Sequence, residues 1–219
     1  MLDAILNLIF PPRCPACGKY VENNGAWCEA CLDKSLRLHQ LPLSPDMAKI
    51  FSGGVWCFGL YEGVLKKLIA SMKFDKKSSA VKQLQFFTGC GVKQIDLSAI
   101  NLAVPVPLHI TKEKQRGFNQ TTLLFSKALQ SNDISFKECL QRQRETVPQF
   151  GLSREDRIKN IKGAFSLADD RVMSDIYGKN ILLVDDIFTT GATFVECGKV
   201  LKKVGAKCLW GLVVASGRK

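Results

Sequence analysis

No apolar run in the 219-residue chain approaches the roughly 18 residues needed to cross a bilayer as a helix. The N-terminus lacks the basic start and small-residue cleavage site of a secretory signal, so a cytoplasmic protein without a transmembrane segment is expected. Histidine is scarce, with two residues; His39 and His109 both fall in polar or turn-like stretches and neither is read as catalytic. The GxxxxGK[ST] of a P-loop and the GxGxxG of a dinucleotide site are missing, which excludes those two phosphate-binding designs. There is no internal repeat and no low-complexity segment. Acidic residues are outnumbered 20 to 31 by Lys and Arg, giving a net charge of +11. A field of that sign favours phosphate-rich partners, either nucleic acid or small phosphorylated ligands.

What is present is an ordinary globular composition, 46% apolar and 23% charged, enough to bury a core. Length and patterning point to one main domain with a small appendage. MLDAILNLIF, ending at Pro11-Pro12, reads as a short helix packed on the core or on the segment after it. It belongs with the cysteine-rich segment in a module over 1–34; a polar, proline-bearing linker covers 35–54, and the main domain runs over 55–219. Within it, strand-like and helix-like patterns alternate: VWCFGLY (55–61), then VLKKLIASMKF (64–74) with lysines opposite its apolar face, then a helix through 80–90. LAVPVPL (102–108) follows as a buried strand, FNQTTLLFSKALQ (118–130) as a helix, NILLVDD (180–186) as a strand, about 193–204 as a helix and KCLWGLVVA (207–215) as the last strand. Such alternation predicts an α/β fold with a doubly wound, mostly parallel sheet.

Nine cysteines are many for a reducing compartment, and their placement says more than their number. Four occur as Cys14-Pro-Ala-Cys17 and Cys28-Glu-Ala-Cys31, two CxxC knuckles ten residues apart. That pattern suits a tetrahedral Zn²⁺ site, and with all four ligands supplied by protein the metal is structural. A redox CxxC works as a single pair at a helix start, so the duplication argues against it. Trp27, Tyr20 and Arg13 suit stacking and phosphate contact with nucleic acid; equally, Trp27 packs on its own knuckle.

The stretch ILLVDDIFTTGAT (181–193) carries the most specific chemistry. Four large apolar residues in a row mark a central parallel strand covered on both faces, so Asp185 and Asp186 stand at its carboxyl end, where open α/β sheets place ligands. Thr189-Thr190-Gly191-Ala192-Thr193 then leads into a helix. Glycine allows close backbone approach, helix-start N–H groups and the helix dipole favour an anion, and threonine hydroxyls add donors. The adjacent carboxylates would repel a phosphate and so face neutral donors such as ribose hydroxyls. Phosphate on one side and diol on the other describes ribose 5-phosphate. The segment is similar to the PRPP-binding motif (5-phosphoribosyl-1-pyrophosphate) of type I phosphoribosyltransferases, and the resemblance implies that Asp185 and Asp186 hold the ribose hydroxyls, that residues 189–193 hold the 5-phosphate, and that Mg²⁺ accompanies the pyrophosphate.

The charges of a pyrophosphate require bases from other loops. One set is Lys112, Lys114 and Arg116 followed by Gly117, Asn119 and Gln120, where Arg116 suits bidentate phosphate contact. A second is Arg142 and Arg144 with Gln149, Arg154 and Arg157, in a basic segment poor in apolar anchors that reads as a flap. The combination of CxxC...CxxC, PVPLHITKEKQRGFNQ, RQRETVPQFGLSREDRIKNIKGAF and ILLVDDIFTTGAT resembles the ComF family of competence proteins over nearly the whole chain. The resemblance implies a cytoplasmic DNA-uptake factor of natural transformation, acting on incoming single-stranded DNA, with a phosphoribosyltransferase-like fold behind a zinc ribbon and other competence proteins as partners. A working transferase that uses PRPP and an unidentified acceptor is the alternative.

Overall fold

The computed structural model describes residues 10–74, 79–144 and 154–217, the side chains of 74, 154, 157 and 158 excepted. Past the first cysteine knuckles come α1 (Glu29–Ser35), β1 (His39–Gln40), α2 (Pro45–Ile50) and β2 (Val55–Leu60). The chain continues through α3 (Gly63–Phe74), α4 (Ser79–Val92), β3 (Leu102–Pro105), α5 (Ile110–Arg116), α6 (Gln120–Gln130), β4 (Ser135–Phe136) and β5 (Leu140–Arg142). It closes with α7 (Arg154–Ile161), β6 (Phe165–Leu167), α8 (Met173–Ile176), β7 (Asn180–Phe188), α9 (Ala192–Lys203) and β8 (Cys208–Ser216).

Six strands form one sheet in the order β1-β2-β8-β7-β3-β4, parallel throughout except for the antiparallel edge strand β1. β5 and β6 pair antiparallel as a separate ribbon. Along β7 the side chains alternate between two cores. Leu182 and Val184 pack with α3, α4 and α6, while Ile181 and Leu183 pack with α2 and α9. Each such side chain fully buried stabilises the fold by about 1.5–3 kcal/mol, so a strand of four consecutive large apolar residues is stable only where both faces are covered. β7 runs two residues past the expected Asp186, because Ile187 and Phe188 still pair with Ala215 and Ser216 and because buried Phe188 meets Phe194 edge-on at 5.6 Å.

Chain direction places the functional crevice. From β3 the chain passes through α5 and α6 to β4 at one edge; from its neighbour β7 it passes through α9 to β8 on the other side. Connections leaving two adjacent parallel strands in opposite directions open a crevice at their carboxyl ends. Pro105 and Asp185 lie there.

The cysteine segment is docked on the main sheet's helical layer. Trp27 is 4% exposed, its indole N–H donates to the Gln83 carbonyl at 2.9 Å, and its ring lies 5.3 Å from that of Phe87 in α4. Trp27 is therefore packing, and unavailable for stacking on a nucleobase. Gly25, at φ +95°, approaches so closely that a Cβ there would stand 2.7 Å from Lys82 Cβ and 2.9 Å from its backbone carbon. Within the stretch 35–54, β1 pairs with β2, and Met47 and Phe51 are buried beneath α9. The polar residues that gave this stretch its linker character lie between those anchors.

Candidate functional site

A cavity of about 680 Å³ opens at the carboxyl ends of β3 and β7. Its floor is Asp185 and Asp186. One side is the turn Thr189, Gly191, Ala192 and Thr193; another is Val106, Pro107 and Leu108 after β3. Lys112, Arg116 and Gln120 face it from α5 and the start of α6, Arg142 from β5, Tyr61 from the loop just past β2, and Lys66, Ala70 and Lys73 from α3. Residues from five separate stretches thus meet at the topological switch point.

The turn is built as the sequence requires. Gly191 caps α9 at φ +84°, ψ 0°, a left-handed conformation natural to glycine. Space is short as well: a Cβ at Gly191 would lie 2.8 Å from Phe188 Cζ and 2.9 Å from Met47 Sδ. Thr190 Oγ1 accepts from the Ala192 N–H at 3.3 Å, and Thr190 does not line the cavity. Its hydroxyl shapes the turn, while Thr189, Ala192 and Thr193 border the open space. A helix N-terminus here offers N–H groups and positive dipole to an anion.

The two carboxylates differ in their surroundings. Asp186 is 5% exposed and pairs with Lys73, whose Nζ lies 2.9 Å from Asp186 Oδ2. Asp185 Oδ1 accepts both the Thr121 hydroxyl at 3.2 Å and the Asp186 N–H at 2.8 Å. Burial, reinforced by the negative charge of Asp186, pushes the Asp185 carboxyl well above the usual range. Burial also works against the Asp186 carboxylate, but the charge of the Lys73 ammonium beside it outweighs that and holds this acid below its ordinary value. Desolvation opposes the Lys73 ammonium, yet Asp186 keeps it raised. The two acids thus differ in partner: Asp186 has a fixed cation, Asp185 a hydroxyl and a backbone N–H.

Other candidates from the sequence fall in graded positions. Arg116 donates to Gln120 Oε1 at 2.9 Å, which aims both along the cavity wall. Asn119 is the N-cap of α6, accepting from the Thr121 N–H at 2.9 Å and donating to the Val106 carbonyl at 3.2 Å, so it anchors the loop behind the cavity. Lys114 is exposed on α5 and does not line the cavity. Arg142 lies over the Phe165 ring at 5.6 Å and reaches the cavity, whereas Arg144 is held away by the carbonyls of Asn160 and Lys162 at 2.8 and 3.1 Å. Gln149 lies outside the described residues, and of Arg154 and Arg157 only the backbone in α7 is described. His109 caps α5, its Nδ1 accepting the Thr111 N–H at 3.4 Å. Tyr61, Lys66 and Lys73 were missed by sequence reasoning. Lysines at 66 and 73, with Ala70 between, lie seven residues apart on one helical face, a spacing that reads equally as a solvated surface.

In the cysteine segment, the Sγ atoms of Cys14, Cys17, Cys28 and Cys31 all lie within 4.8 Å of one another, and Cys17 and Cys28 are 3.6 Å apart. A tetrahedral zinc with Zn–S bonds of about 2.3 Å requires S···S edges of about 3.8 Å, so the four thiols fit that ion. Burial works against a Cys14 thiolate, but backbone N–H groups of Cys28, Ala16 and Cys17 bring its pKa down to about 6. Among the described residues this is the one group of three or more such ligands.

Known proteins match this arrangement along its length. The double zinc ribbon domain family matches residues 5–60, and the phosphoribosyl transferase domain family matches residues 110–219. Competence protein F of Haemophilus influenzae is 30% identical over 211 residues, covering 93% of this chain and 85% of that protein. DNA utilization protein YhgH of Escherichia coli is 30% identical over 200 residues, 88% of this chain and 79% of that protein. Competence protein ComFC of Bacillus subtilis is 25% identical over 195 residues, 88% of this chain and 72% of that protein. Because the likeness extends from the cysteine knuckles through the phosphate turn to the last strand, the chain belongs to the ComF family of competence proteins, a phosphoribosyltransferase-type domain behind a zinc ribbon.

Proposed function

We propose that this protein is a DNA-uptake factor, acting in the cytoplasm on incoming single-stranded DNA, whose crevice takes PRPP or ribose 5-phosphate. The observation that carries this reading is the charge arrangement of the cavity. Lys66, Lys73, Lys112, Arg116 and Arg142 converge from three helices or strands around a floor of two carboxylates and a hydroxyl-bearing helix-start turn. Cations on the walls suit phosphates, and acids on the floor suit a sugar's hydroxyls. In this reading Asp185 and Asp186 face the ribose hydroxyls, and Thr189 to Thr193 cradle the 5-phosphate. Lys112, Arg116 and Arg142 take the pyrophosphate or the phosphates of a DNA strand. Mg²⁺ when bound would screen the pyrophosphate charge. Zinc in the Cys14, Cys17, Cys28 and Cys31 group would be structural, since no ligand position is left open. The relatives named for competence and DNA utilization support the same role.

The intact acid pair and phosphate turn support a second reading, a working transferase. There the acid pair orients the sugar while the bond from its anomeric carbon to pyrophosphate breaks and an acceptor nucleophile bonds to that carbon. The two readings part in three measurements on the Asp185→Asn/Asp186→Asn variant and its parent. PRPP binding by calorimetry, pyrophosphate release, and transformation frequency in cells are compared. PRPP binding and transformation both lost in the variant, without pyrophosphate release by the parent, is the result expected. Unimpaired transformation by the variant would sink the DNA-uptake role of this crevice, and acceptor-dependent pyrophosphate release would favour the transferase.

A further inference from the structure

Lys73 stands in the last turn of α3, and α3 lies between the two spans matched by known domain families. It is the cation within ion-pair distance of the acid pair among the described residues, 2.9 Å from Asp186 Oδ2. We propose that Lys73 is a positioning residue of the acid pair, fixing Asp186 as the charged acceptor and leaving Asp185 as the member that carries a proton. A sugar diol then meets one strong acceptor and one group able both to accept and to donate. This inference rests on the ribose-phosphate reading above.

The geometry supports it from both acids. A carboxylate 5% exposed, like Asp186, neutralises itself unless a counter-ion is fixed beside it, and Lys73 is so fixed, its side chain only 27% exposed. Two adjacent ionised carboxylates repel, so one counter-ion serves one of them and the other retains its proton. Asp185 Oδ1 already accepts two donors, from Thr121 and from the Asp186 amide, which leaves Oδ2 for that proton. A permanently charged floor would also repel the 5-phosphate and the pyrophosphate of the ligand. One acid neutralised by a proton and one by Lys73 removes that repulsion while keeping oxygens for hydroxyl groups.

The groups that share this field are few. Asp185 and Asp186 face Lys73 from β7, and Tyr61 from the loop just past β2. Lys66, Lys112, Arg116 and Arg142 line the same cavity from α3, α5 and β5. Cys197 of α9 interacts with Asp185 from behind, its thiol held neutral by burial. The nearby cations all favour ionised acids, so the loss of Lys73 removes the contact charge and leaves their weaker influence.

Lys73→Met and Lys73→Arg separate positioning from packing. The aspartate carboxyls of each protein are titrated by ¹³C NMR between about pH 5 and pH 9, and PRPP affinity is measured across the same range. In the unaltered protein one of the two carboxyls stays ionised throughout and affinity is flat near neutrality. In Lys73→Met the Asp186 carboxyl moves up into the range, and affinity at about pH 6 falls roughly tenfold for each unit by which that carboxyl exceeds the working pH, recovering as pH rises. Lys73→Arg restores the flat profile. Lys73→Met with unmoved carboxyl titration overturns the proposal, and so does a moved titration with wild-type affinity at every pH. If Lys73→Met does not fold, Lys73→Gln is read by the same criteria. If the unaltered protein binds no PRPP, the ribose reading falls and diol positioning with it, while the titration still decides whether Lys73 sets the charge of Asp186.

Discussion

Replacing Gly191 by alanine tests the phosphate turn through two separable costs. At φ +84° an alanine sits in the left-handed region, which costs roughly 1–2 kcal/mol. The new methyl would also stand 2.8 Å from Phe188 Cζ and 2.9 Å from Met47 Sδ. Phe188 is 1% exposed and Met47 3%, so neither has room to retreat without moving the buried layer beneath α9. Overpacking of this kind costs about 1–3 kcal/mol, so a total loss of about 2–5 kcal/mol is expected. For a chain of this size that is a fall of roughly 5–15 °C in melting temperature. Gly178 supplies the control: at φ +68° it shares the left-handed strain, but nothing lies within 4 Å of its Cβ position. Gly178→Ala is therefore expected to lose only the first cost. Thermal unfolding of the two variants side by side gives the steric part by difference, and PRPP calorimetry on Gly191→Ala gives the effect on the cradle, expected to weaken at least tenfold. Equal melting temperatures for the two variants would refute the steric argument. Unchanged PRPP affinity in Gly191→Ala would refute the assignment of this turn to the phosphate.

Four further outcomes are expected. Asp185→Asn mimics the protonated acid; the folded state raises this carboxyl's pKa, so ionisation costs stability as pH climbs above the ordinary carboxylate range. The variant is accordingly more stable than its parent at neutral pH, and the gain vanishes below about pH 4 where both states are protonated; urea unfolding at the two pH values checks this. Trp27→Ala removes a buried indole and its hydrogen bond to Gln83 and is expected to cost about 3–5 kcal/mol, read as a lower unfolding midpoint. Zinc chelation, or Cys17→Ser, is expected to lower the melting temperature while metal analysis shows loss of one zinc per chain, and no change on chelation would contradict a structural metal. Single-strand binding should weaken with salt, and Arg116→Ala should shallow the slope of log K against log salt by about 0.7 if that side chain takes a phosphate.

The elements were legible from the sequence to different degrees. The central strand was clear because four consecutive large apolar residues demand cover on both faces, and its carboxyl end located Asp185 and Asp186. The helix after Gly191 was clear because small residues and a glycine precede an amphipathic run. Within the stretch 35–54, by contrast, Met47 and Phe51 are isolated apolar residues in polar surroundings, and their burial depends on α9 more than a hundred residues away. The basic loops could be named but not sorted. Arg116 and Arg142 reach the cavity while Lys114 and Arg144 do not, since the direction of a side chain on a short helix or ribbon depends on the surface it meets.

The sequence alone determined the local chemistry: four thiols at knuckle spacing, two acids at a strand end, and a small hydroxyl-rich turn opening a helix. Each is set by neighbours in the chain, so spacing suffices to read it. Tertiary structure alone decided what these parts face. It turned Trp27 inward onto α4 rather than toward a ligand, brought Lys66 and Lys73 from α3 over the crevice, and placed Lys73 against Asp186 across 113 positions of sequence. The charge state of the acid pair follows from that contact, because in a buried site an acid's ionisation is fixed by the cation packed beside it and not by the residues that precede and follow it.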